Sequence, residues 1–144
     1  MKKIILAALL MLAVFMPTLS PAATPNYGVA IPGVVVIPFH ISGQYTATTA
    51  SVIKFAMPFK CRLVGIGATA RASGGTSPTL TVDVLDDTVS VLSSTISITA
   101  GTYSEGTIAN AAVADESVMT VTLTIGGTSP TWNDITVFIT AVRE

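Results

Sequence analysis

The chain has 144 residues, half of them hydrophobic and only 10% charged, a length that a single self-sufficient core accounts for without a second domain. Its formal net charge is −1, and beyond Lys2 and Lys3 the basic residues reduce to Lys54, Lys60, Arg62, Arg71 and Arg143, set against eight acidic ones. That mildly acidic balance, with no basic run, excludes an electrostatic footprint for nucleic acid and any steering towards anionic membranes.

Lys2 and Lys3 stand before an uninterrupted apolar run from Ile4 to Met16, and Ser20-Pro21-Ala22 or Pro21-Ala22-Ala23 offers small residues for cleavage. The pattern predicts a signal helix over residues 1–22. The apolar run is shorter than the roughly 20 residues of a spanning helix, and Pro17 and Pro21 close it, so the segment reads as cleaved rather than retained as an anchor. The expected product is exported, to the periplasm, the medium or the cell surface, with no membrane anchor after processing. Its single cysteine, Cys61, rules out an intramolecular disulfide and lipid attachment at the cleavage site. Residues 23–33, where Pro and Gly alternate with apolar residues, read as a flexible arm. It is either an unordered leader or a strand that adds to a neighbour's sheet edge.

From residue 34 to the end, short β-type runs follow one another at intervals of roughly 8–12 residues, which is the pattern of a sandwich or barrel. In chain order they are Val34–Ile41, Ala50–Ala56, Arg62–Ala70, Leu80–Val84, Val89–Ile98, Tyr103–Ile108, Met119–Ile125 and Ile135–Ala141. Met119, Val121, Leu123 and Ile125 alternate with Thr120, Thr122 and Thr124, which places an apolar face against a hydroxyl face. Ile135, Val137, Ile139 and Ala141 alternate in the same way with Thr136, Phe138 and Thr140. Thr suits the outer faces, because its branched carbon fits the pleat while its hydroxyl meets water.

Gly74-Gly75-Thr76-Ser77-Pro78-Thr79 recurs as Gly126-Gly127-Thr128-Ser129-Pro130-Thr131, each copy between two β runs. Gly permits positive φ and Pro bars extension of a ladder, so each copy reads as a hairpin loop of similar geometry, both at one end of the fold. A phosphate-binding loop is excluded, because neither a Lys nor a helix follows. Trp132 and Asn133 come directly after the second copy. Gly74, Gly75, Ser77, Pro78, Gly126, Gly127, Ser129, Pro130, Trp132 and Asn133 are therefore the candidate interaction residues, with the indole either a contact anchor or a lid on the end of the fold.

Nothing in the sequence assembles a catalytic or cofactor site. His40 is the only histidine and no nucleophile motif accompanies it. It reads as a strand residue with a hydrogen-bond partner, and with Cys61 it supplies too few ligands for zinc. Cys61 lies between Lys60 and Arg62 and reads as a buried residue opening a strand, the alternative being a thiol activated by those charges. Asp83, Asp86 and Asp87 and the pair Asp115 and Glu116 lack calcium-loop spacing and read as turn residues. No enzyme and no cofactor are expected.

The expected fold is all-β: a single antiparallel sandwich of about eight strands over residues 34–144, with jelly-roll or Greek-key topology. An immunoglobulin-like sandwich is the alternative, without the Cys…Trp…Cys spacing that marks that family. Three stretches carry a resemblance: Phe55-Ala-Met-Pro-Phe-Lys-Cys-Arg-Leu-Val-Gly-Ile66, the first repeat with Leu-Thr-Val-Asp-Val to Val84, and the second with Trp-Asn-Asp-Ile-Thr-Val to Val137. They resemble β-sandwich domains of tailed-phage virion proteins of the head-decoration, head-fibre and tail-associated kinds. The resemblance implies a non-catalytic subunit that assembles as a homo-oligomer or with a partner protein. Together with the signal peptide, it implies a cell-surface protein using such a sandwich, or a virus whose morphogenesis involves a membrane. A secreted module binding a surface glycan or another ligand through the loops near Trp132 and Asn133 is the alternative.

Overall fold

The computed structural model describes residues 33–144, so the signal segment and residues 23–32 of the arm lie outside the described residues. Among the described residues there is no helix. All the elements are strands of one antiparallel sheet: β1 (Val34–Tyr45), β2 (Thr49–Ala56), β3 (Cys61–Asp86), β4 (Val89–Ser90), β5 (Ile96–Ser97), β6 (Ser104–Gly106), β7 (Ala112–Val113) and β8 (Val118–Arg143).

Two of these strands organise the rest. β3 and β8 have 26 residues each, far beyond the roughly 5–6 of an ordinary strand, and they pair along their whole length, from Cys61↔Arg143 to Asp86↔Met119. The repeated Gly-Gly-Thr-Ser-Pro-Thr segments lie at the middle of these strands, which corrects the hairpin reading. Each segment continues its strand and pairs with the other copy, through Gly74↔Thr131, Thr76↔Thr128 and Thr79↔Gly126. The Gly and Pro chemistry makes a corner instead of a reversal. Positive φ at Gly75 (96°), Ser77 (49°), Gly127 (112°) and Ser129 (49°) shifts the register of both strands at the same level. Because the partner bends equally, the ladder survives the bend.

The corner divides the sheet into two halves of the same plan. In the first, residues 61–74 of β3 pair with residues 131–143 of β8; β1 flanks β8, and β6 and β7 flank β3. In the second, residues 79–86 of β3 pair with residues 119–126 of β8; β2 flanks β8, and β4 and β5 flank β3. The number of elements agrees with the sequence reading, but their make-up differs. Four expected strands fuse into β3 and β8, the expected strand over Val89–Ile98 breaks into β4 and β5, Tyr103–Ile108 shrinks to β6, and β7 was not anticipated.

Alternation drives the packing. Ile66, Ala68, Ala70, Ile135, Val137, Ile139 and Ala141 of the first half are fully buried. So are Val82, Val84, Met119, Val121 and Leu123 of the second half, and all of these join one apolar cluster. Phe39 of β1 and Phe55 of β2, one from each half, meet with ring centroids 4.6 Å apart. The contact joins the flanking strands of the two halves, with the tilted geometry aromatic pairs prefer.

Candidate functional site

The ten candidate residues are brought together, but as a corner. Gly75, Ser77, Gly127 and Ser129 are exposed, while Gly74, Pro78, Gly126, Pro130 and Asn133 are half-buried. The packing is reciprocal. A side chain at Gly127 would meet the Ser77 carbonyl oxygen at 2.6 Å, and one at Gly75 would meet the Ser129 carbonyl oxygen. Gly74 and Gly126 lie against the hydroxyls of Thr131 and Thr79, at 2.6 and 2.7 Å from the same notional carbon. Trp132 departs from a contact anchor: it is 2% exposed, and its Nε1–H has no hydrogen-bond partner among the described residues.

Beyond the corner β1 bulges at Ser42 and Gly43, opposite Asp134 of β8, whose φ is +47°. The Asp134 carboxylate meets both neighbouring strands, where Oδ1 accepts from the Gly43 backbone N–H at 3.0 Å and Oδ2 lies 2.6 Å from Arg71 Nη2. The Gly43 hydrogen bond, then Arg71, and more weakly His40, hold this carboxyl below its ordinary pKa of 3.8. The contribution is therefore present above that value and lost as pH falls through the lowered one. Asn tolerates positive φ, so Asp134→Asn isolates the charge. Its melting temperature should lie below that of the wild type at pH 7, the gap closing as pH falls through the lowered pKa; thermal melts at neutral pH and over an acid series check this.

The other titratable candidates occupy structural places. His40 is exposed on β1, its Nδ1 3.0 Å from Thr136 Oγ1. Asp83 accepts from the Ser90 hydroxyl at 2.7 Å, and Asp86 accepts from the Ser117 hydroxyl. Asp87 and Glu116 adopt positive φ in turns, and Glu116 N–H donates to the Met57 carbonyl at 2.8 Å. Cys61 opens β3 and is fully buried. Burial pushes its thiol pKa up, with Glu144 and Asp86 adding to the effect, so Lys60 and Arg62 do not activate it. A thiol reagent at pH 8 should leave the folded protein unlabelled and label it rapidly in denaturant; labelling at comparable rates in both would contradict the burial.

The outer faces of the two halves differ in chemistry. Outward positions on the second half carry Lys54, Thr81, Asp83, Leu85, Thr120, Thr122, Thr124 and Ser97. On the first half the same kind of position carries Val34, Val36, Pro38, Phe138, Thr140 and Val142, with His40, Thr136 and Thr69 beyond them. Tyr103 occupies the space over Gly67 where a side chain would stand, and its ring meets Phe138 edge-on at 6.1 Å. At one end of this face a groove of about 550 Å³ opens between Arg62, Val64, Ile108, Val142 and Glu144. Sequence reasoning passed over the face, although Phe138 standing in a polar slot between Thr136 and Thr140 is its signal. In comparisons with known proteins, the chain matches no family model and no curated protein sequence.

Proposed function

We propose that this chain is an exported, non-enzymatic structural subunit of the virion or cell-surface type, which works by associating with copies of itself. The observation that carries the reading is the poverty of charge on an all-β surface. Over residues 33–144 there are five basic and eight acidic side chains, and Thr, Ser, Gly and exposed Val cover the rest. Such a surface offers little electrostatic resistance to self-association.

The finer architecture in this reading is a jelly-roll sandwich, the sheet folded on itself at the Gly-Gly corner. Two observations support it. Counting each half of β3 and of β8 separately, and β4 with β5 and β6 with β7 as single segments, the eight segments run in the order 1-8-3-6 in one half and 2-7-4-5 in the other. Each half interleaves early and late segments of the chain, as paired Greek keys require, and the two apolar faces share one core. The fold is shared by capsid subunits and lectins, so the choice between assembly and glycan binding rests on the surface. A glycan platform around Trp132 lacks its aromatic, because that indole is in the core.

The test is the mass and oligomeric state of the native product, by light scattering with intact mass spectrometry on material from producing cells. A chain shortened by about 22 residues in a defined oligomer supports both export and assembly. A processed monomer overturns assembly, and an unprocessed chain overturns export.

A further inference from the structure

The two halves share a plan but not an outer surface, and the difference is concentrated. Among the described residues four large hydrophobics are exposed, and three of them, Val36 (55%), Val64 (51%) and Tyr103 (54%), belong to the first half or lie on its face. With Pro38, Phe138 and Val142 they form an outward patch around Thr140, where the second half carries mostly hydroxyls beside Leu85. Side chains that only had to meet water would follow the Thr pattern of the second half. The aromatic pair is also held in place: Gly67 leaves room for Tyr103, which packs on the strand and against the edge of Phe138. A rigid aromatic contact of this kind costs little entropy when it is covered.

Three features point to a second copy of the same chain as the occupant. The first is charge. Arg62 and Glu144 lie at one end of the patch and the Arg71–Asp134 pair closes the other, with Glu105 between them over Gly65 beside Thr140. Each end carries both signs, so the patch meets its own image about a two-fold axis without setting like charge against like, as an isologous contact requires. The second is area. Four strands about 4.8 Å apart, followed for seven residues at about 3.3 Å each, give roughly 450 Å² of face, so two copies together remove about 1,000 Å² once side-chain relief is included, the lower bound for a specific interface. The third is the neighbouring edge. Pro38 sits in an unbroken stretch of β1–β8 register, so its nitrogen faces away from β8 and removes a donor from the middle of an edge that pairs with no other described strand. Strand addition along β1 is thereby blocked, and contact through the face is left.

We propose that the face bearing Val36, Pro38, Val64, Tyr103, Phe138 and Val142 is the surface through which two copies of this chain form a two-fold dimer. The proposal rests on the assembly reading above and names its contact. It is tested on the full processed chain by sedimentation equilibrium of the wild type, of V36K/V64K and of T124K/S97K, which adds the same charge to the opposite face; circular dichroism verifies that each variant is folded. Both valines are more than half exposed, so the folded monomer tolerates Lys there. The wild type should dimerise, V36K/V64K should weaken the dimer by about 100-fold or more through burial of unpaired charge, and T124K/S97K should leave it unchanged. A dimer that survives V36K/V64K, or that T124K/S97K disrupts equally, overturns this assignment while leaving self-association standing. A wild type that stays monomeric at about 100 μM, where a specific interface of this size is populated, overturns the assembly reading itself.

Discussion

Gly75→Ala and Gly127→Ala should each destabilise the protein by about 3 kcal/mol or more, and the double variant should fail to fold. Two costs add at these positions. Each glycine has a positive φ, 96° and 112°, which alone costs an L-residue about 1–2 kcal/mol. Each also packs directly on carbonyl oxygens of the opposite repeat, so an added methyl meets rigid backbone in a place where nothing can swing aside. Gly101→Ala supplies the control, since its φ is +74° but nothing lies within 4 Å of the added carbon. It should lose only the conformational part, about 1 kcal/mol. Denaturant titration of the three variants separates the terms, and equal losses at Gly75 and Gly101 would mean that the corner is not tightly packed.

That corner also marks where the sequence stops being readable. The alternation of Met119 to Ile125 with threonines, and of Ile135 to Ala141 with Thr136 and Thr140, is a local signal and it appears on the inner and outer sides of β8, except that Thr120 on the outer side is buried. The meaning of Gly-Gly-Thr-Ser-Pro-Thr is not local. The same residues that close a hairpin also bend a strand, and the outcome depends on whether a second strand bends at the same level. Here the second strand is the other copy of the repeat, 52 residues away in sequence, which no window of neighbouring residues contains. The short elements β4 to β7 were hard to place for a related reason. Each pairs over only two or three residues, and they exist because β3 offers them an edge.

The candidate site was legible in its residue types more than in its geometry. Asp134 follows Trp132 and Asn133 in the sequence without any local pattern that marks it. Its role depends on a β1 bulge that brings Gly43 to it and on Arg71 opposite it in β3, residues 91 and 63 positions away. The apolar outer face was visible in principle as a break in the Thr pattern at Phe138. Linking it to Val36, Pro38 and Val64 required the register of three strands. Tyr103 could not have been placed there from sequence, because only the strand pairing shows that Gly67 leaves room for its ring.

Trp132 offers the other large effect. It occupies the position that Leu80 occupies after the first repeat, and both side chains are buried, at 2% and 1% exposure. Each half thus fills the interior behind the corner with the residue that follows its Thr. Trp132→Ala should therefore cost about 3–5 kcal/mol, as truncation of a large core side chain does. Trp132→Phe separates two opposing terms. It gives up part of the packed volume, but it also removes an indole N–H that is buried without a partner, and such a donor carries a penalty of about 1–3 kcal/mol. The net loss for Phe should then be small, within about 1.5 kcal/mol of the wild type. Denaturant midpoints for the two variants decide the point. If Phe is as damaging as Ala, the indole N–H makes a bond that the folded state depends on, and the polar end of Trp132 contributes stability instead of costing it.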